Sequence, residues 1–160
     1  MKSAISSVRS SFIEAIQLLN YAVYDRQRKI NDYPYIVIGE LTEVQQGDQG
    51  EFGQIVTINV ELYNGWSSDY GDRNLSDTIV NNIMNAIITK PHKLQILGFD
   101  MPVLTLDNSM TSTEQTQTNT IHTTVLRFKL QLFENDTITY ITDDNDNYLT
   151  DDLGNYLITG

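Results

Sequence analysis

The stretch "QIVTINVELY" constrains the fold most. In it Val56, Ile58, Val60 and Leu62 interleave with Thr57, Asn59 and Glu61. Successive side chains of a strand point to opposite faces, so this pattern describes a strand with one face in a core and the other in water. "TIHTTVLRFKLQLFE" repeats the pattern, with Leu126, Phe128, Leu130 and Leu132 alternating with Arg127, Lys129 and Gln131. Strands of this kind suit an antiparallel sheet that is covered on one side only.

Helical periodicity supplies the cover. Ile5, Val8, Phe12, Ala15, Leu19 and Ala22 fall at spacings of four and three, and Ile16 and Val23 widen the stripe. This predicts an amphipathic helix that fades near "DRQRKINDYP". The Tyr33-Pro34 pair disfavours helix at residue 33 and opens the β-rich run "YPYIVIGELTEV". "QQGDQGEFG" reads as the hairpin loop into the alternating strand. After "NGWSSDYGDRN", a second helix buries Leu75, Ile79, Val80, Ile83, Ala86 and Ile87, with Asn74 or Ser76 as its cap and Pro91 as its stop.

"LQILGFDMPVLTL" reads as a strand broken near Pro102, which suits an edge position or a bulge. Between it and the last strand lies "DNSMTSTEQTQTN", whose one apolar member is Met110. Structureless connections of this length are uncommon unless they serve a purpose, so 107–119 reads as a long polar hairpin loop. The expected fold is α+β: a four-stranded, mainly antiparallel sheet with two helices on one face, in the order α-β-β-α-β-β. It occupies residues 1–134, and 135–160 form a separate acidic, β-rich arm.

Hydrophobic residues make up 40 % of the chain and charged ones 19 %, which suits a folded domain. The N-terminus lacks the apolar stretch of a signal peptide, and no run is long enough to span a bilayer. Synthesis in the cytoplasm and no membrane association are expected. Without cysteine there is no disulfide or thiolate chemistry. The net charge is −11, with seven acids and no base from Glu134 onward. No basic surface is offered to nucleic acid, so the expected partners are proteins.

Catalytic signatures are missing from the sequence. His92 and His122 have no partner at metal-ligand spacing, and no phosphate loop or nucleophile elbow occurs. The expectation is a non-enzyme without a cofactor, in which Trp66, Tyr63 and Tyr70 serve packing or subunit contact. The C-terminus, "YITDDNDNYLTDDLGNYLITG", repeats Tyr140, Tyr148 and Tyr156 every eight residues. Each Tyr-Ile/Leu triplet has β propensity and each Asp/Asn interval has turn chemistry. The repeats suit a meander that docks on a neighbour, or a disordered acidic tail. A third reading takes Asp144 and Asp146 as part of a calcium loop, although the loop glycine and the distal Glu are missing. A calcium-dependent ligand- or carbohydrate-binding module is the alternative of a different class.

The succession "AVYDR", "YPYIVIGE" and "VTINVELYNGW" with Gly71 soon after, closed by "IHTTVLRFKLQLFE", resembles the tail-terminator (tail-completion) proteins of long-tailed bacteriophages. The resemblance spans roughly residues 10–134. It implies an α+β subunit of a hexameric ring in the virion. Such a ring caps the head-proximal end of the tail tube and meets the head connector, and DNA passes its lumen without specific binding. The C-terminal repeats extend beyond the family pattern, which keeps another neck or tail-tube ring open as the alternative. A closed ring needs a heterologous contact. The 107–119 hairpin, with Asn108, Met110, Thr113, Glu114 and Gln117, is expected to cross that boundary, and Trp66, Tyr70 and the arm tyrosines are further contact candidates. Asp48 and Glu51, on the 47–53 loop, either face the lumen, repelling DNA, or mark an ordinary solvated tip.

Overall fold

The computed structural model describes residues 2–26, 32–48, 51–66, 73–89, 94–116, 118–135, 139–140 and 158–159, with backbone alone at 47–48, 51–52, 139–140 and 158–159. Helix α1 (Ile5–Gln17) is followed by the short β1 (Val23–Tyr24) and by two long strands, β2 (Tyr35–Asp48) and β3 (Glu51–Trp66). Helix α2 (Arg73–Met84) runs into a π-helical turn (Asn85–Thr89) before the second long pair, β4 (Phe99–Gln115) and β5 (Thr120–Glu134). The strand order is β1-β2-β3-β5-β4, antiparallel except for the β1–β2 pair. The α+β architecture is as expected, and β1 makes the sheet five-stranded and mixed.

One face of the sheet carries the core. Val56, Ile58, Val60 and Leu62 of β3 and Leu126, Phe128, Leu130 and Leu132 of β5 are buried together with Val8, Phe12, Ile16, Ile79, Ile83 and Ile87 of the helical segments. Both helices therefore lie on the same side. The Phe12 ring meets Phe128 at 5.5 Å between centroids. Among the described residues the opposite face has no helical cover, and Arg127 and Lys129 stand exposed on it.

Helix α1 is shorter than its hydrophobic stripe suggests. Three backbone bonds tighten its end (Leu18 N–H to Glu14, Leu19 to Ile16, Asn20 to Gln17), and Asn20 takes a left-handed φ of 62°. Asparagine tolerates that conformation better than most residues, so it ends the helix, and Val23 joins β1 instead. Helix α2 is rotated relative to its predicted stripe: Ser76 is fully buried, whereas Leu75 is 38 % exposed. Ser76 is therefore no cap. Its hydroxyl accepts a hydrogen bond from the Asn64 amide at 2.9 Å, and Asn74 lies within the helix, where its carbonyl accepts from Thr78.

The predicted strand at 94–106 begins late. Gly98 takes φ +84° in a turn closed by Phe99 N–H to the Ile96 carbonyl at 3.0 Å, a conformation suited to glycine. Pro102 falls within a register irregularity between Asp100 and Val103 on the outermost strand, where its missing N–H is tolerated.

Candidate assembly surface

The segment 107–119 is not a loop. β4 stays paired with β5 to the end, with Asn108 opposite Arg127, Met110 opposite Val125, Thr113 opposite His122 and Glu114 opposite Ile121. The turn itself is closed by Thr116 and Asn119 through a backbone bond of 2.8 Å and two bonds of the Thr116 hydroxyl. Gln117 lies outside the described residues. From Asp107 to Thr116 every residue of β4 and its turn is exposed. With both faces of this half-strand exposed, neither needs apolar side chains. That removes the alternation by which a strand is read from sequence, leaving only β-branched Thr111 and Thr113 as a trace.

The 45–53 segment is likewise strand. β2 and β3 remain in register to Asp48 opposite Glu51, with only residues 49 and 50 between them. The side chains of Asp48 and Glu51 lie outside the described atoms. Following the pairing across the sheet places this turn beside Phe133 and the β4–β5 turn beside Trp66. The two candidate contact regions thus sit at opposite ends of one sheet.

Trp66 belongs to the end with the β4–β5 turn. Its ring lies 6.3 Å from the His122 imidazole, and His122 Nδ1 is 3.1 Å from the Thr113 hydroxyl. Burial lowers the His122 pKa, Arg73 lowers it further, and Asp77 opposes them. The imidazole is thus held neutral near pH 7, between Thr113 of β4 and Trp66 of β3.

Sequence reading missed the grouping of tyrosines on the open face. Tyr35 stacks on Tyr63 at 5.0 Å and on Tyr33 at 5.5 Å, and Tyr24 approaches it edge-on at 6.0 Å. The Tyr33 ring lies where a Cβ on Gly65 would sit, 2.5 Å from that position. The Tyr63 hydroxyl donates to Glu61 at 2.7 Å. Burial, then that hydrogen bond and the Glu61 charge, push the Tyr63 pKa well above its ordinary value. The signal was present in the tyrosine-rich "DYPY" and "LYNG", but only strand pairing shows which rings meet.

Two strand edges remain without a strand partner among the described residues: the outer side of β4, and that of β2 beyond the two residues held by β1. Exposed apolar side chains accompany them, namely Val103 and Met110 on β4 and Val44 on β2. Asp107 pairs with Arg127 at 3.5 Å across the β4–β5 ladder. Both side chains are about half exposed, so the pair contributes little to stability.

A groove of about 1120 Å³ opens between α1 and the 94–104 segment, lined by Ser7, Ser10, Ser11, Leu97 and Asn135, with Glu14 and Asp100 as its charged groups. Among the described residues no group of three potential metal ligands occurs, and no helix is long and apolar enough to cross a membrane. Of the arm, Tyr140 pairs with Ile158 in the two-residue ladder of β6 (Thr139–Tyr140) and β7 (Ile158–Thr159). Tyr70, Asp144, Asp146, Tyr148 and Tyr156 lie outside the described residues, as does His92.

No protein family profile matches the chain, and no curated protein does. Among solved structures, the chain is similar to one from the virion of a native gene transfer agent particle. That match has a TM-score of 0.58 and 11 % identity, and covers 82 % of this chain and 92 % of that one. At this identity the likeness speaks to architecture: the two chains share a fold over nearly their whole lengths.

Proposed function

We propose that the protein is a virion structural protein, working as one subunit of a ring at the head-proximal end of a phage-type tail tube. The observation that carries this reading is the near full-length fold shared with a chain of a gene transfer agent virion. The order of sequence motifs resembling tail terminators supports the finer placement. The ring is hexameric, meets the tail tube on one side and the head connector on the other, and lets DNA pass without gripping it. The protein is made in the host cytoplasm, and its role is geometric, with no reaction catalysed.

The two unpartnered, dissimilar strand edges support assembly, because a ring is built from heterologous contacts. Native mass spectrometry and negative-stain imaging of the purified protein test this reading. Sixfold rings are expected. A monomer at every concentration, together with no effect on tail-tube polymerisation, would overturn it.

A further inference from the structure

The sheet's two edges that have no strand partner among the described residues carry the information needed to pair with each other. We propose that β4, over residues 108–113, takes residues 41–46 of β2 from a second copy as an added antiparallel strand, with Val44 of the partner subunit beside Met110. This rests on the ring reading and names the contact that builds it. A strand edge exposes a row of N–H and C=O groups, and the partner that satisfies such a row in series is another strand.

Each edge is blocked at its start and open afterwards. On β4, Pro102, the irregularity between Asp100 and Val103 and a second one between Leu106 and Asn108 interrupt the ladder before the regular stretch from Asn108 onward. On β2, β1 covers Ile36 and Val37, and a register shift follows between Ile38 and Leu41. Beyond those points neither stretch holds a proline, lysine or arginine, and Glu43 is the one charged side chain on either; proline, lysine and bulges are the devices that usually keep edges apart.

Direction fits as well. β2, β3, β5 and β4 alternate in sense, so another β2 placed outside β4 continues the antiparallel order. The contact is head-to-tail, leaving each copy one edge to give and one to receive.

The apolar side chains set the register. Val44 and Met110 are each 61 % exposed. Val44 lies opposite Ile55, and Met110 lies opposite Val125, itself opposite Glu61, so both point to the open face. Placing them side by side shields both from water. It also shifts each copy by the six residues that separate Ile55 from Glu61 along β3. That is roughly 20 Å along the strands, against roughly 19 Å for four strand spacings. The strands would then tilt about 45° from the ring axis, at the upper end of the range for closed sheets.

Disulfide trapping tests the contact cleanly, because the chain has no cysteine. Within one copy, positions 44 and 110 are three strand spacings apart across the sheet and six residues apart along it, roughly 24 Å in all. A disulfide spans only about 4.4–6.8 Å between Cα atoms, so a bond between them must join two copies. The oxidised double variant Val44→Cys/Met110→Cys should run on a denaturing gel as a ladder ending at the ring's size, while each single variant stays monomeric. Pairing Val44→Cys with Asn108→Cys or Ser112→Cys covers the neighbouring registers. Intact rings by native mass with no ladder from any of the three pairs would overturn the edge contact and leave the ring standing. Covalent dimers from Met110→Cys alone would overturn it in favour of a symmetric β4–β4 contact. A wild-type protein that never assembles would overturn both the contact and the ring.

Discussion

Phe12 joins α1 to the sheet, and its removal has a size that the structure sets. The side chain is fully buried and its ring lies 5.5 Å from that of Phe128, tilted by 58°. Phe12→Ala loses the transfer energy of the ring and leaves a cavity between Val8, Ile16 and β5, at a cost of about 3–5 kcal/mol. Against a total stability of about 5–15 kcal/mol, that is a third or more of a middling value, and it lowers Tm by roughly 6–20 °C. Phe12→Leu keeps most of the volume and should cost less than half as much. Urea unfolding followed by tryptophan fluorescence measures both, because Trp66 is the single tryptophan and packs against His122, away from α1. The m-value should hold while the midpoint falls. A loss below about 1 kcal/mol for the alanine variant would refute the seating of α1 over β5.

Gly65→Ala puts a methyl 2.5 Å from the Tyr33 ring; an overpacking loss of about 1–3 kcal/mol is expected, and Tyr33→Ala in the same chain should recover part of it in thermal melts. The raised Tyr63 pKa means that the folded state resists ionisation. Stability from this group is complete below pH 10 and is lost as pH rises above that, because the unfolded chain ionises first. Tyr63→Phe should flatten that alkaline slope in pH-dependent melts. The lowered His122 pKa has the opposite sense: stability is complete above about pH 6.5 and falls as acid protonates the unfolded imidazole first, and His122→Gln should remove that contribution. Amide hydrogen exchange separates a strand from a loop at 107–115. Slow exchange at alternate β4 amides and along 121–127 of β5 is expected, whereas uniformly fast exchange would refute the pairing.

Much of the fold was legible because burial imprints a period on sequence. Val56 to Leu62 and Leu126 to Leu132 are buried every second residue against the helices, and those are the positions that read as strand interior. The helical stripes were located to within part of a turn. Leu75 and Ser76 exchanged places because the Asn64 hydrogen bond offsets the burial of a hydroxyl, a pairing that hydrophobicity alone does not encode. Asn20 shortened α1 through backbone conformation, a signal carried by one residue.

By itself the sequence located the buried parts of the four long strands and the two helices, predicted both helices on one face, and put Pro102 at an edge or a bulge. Only the tertiary structure decided how far the strands run, which ends the two turns occupy, and which edges stay open. The reason is physical. Asp107 to Gln115 pairs through its backbone while exposing both faces, so its side chains keep no record of the ladder. The same exposure that hid this strand from the sequence leaves its outer edge open to a neighbour.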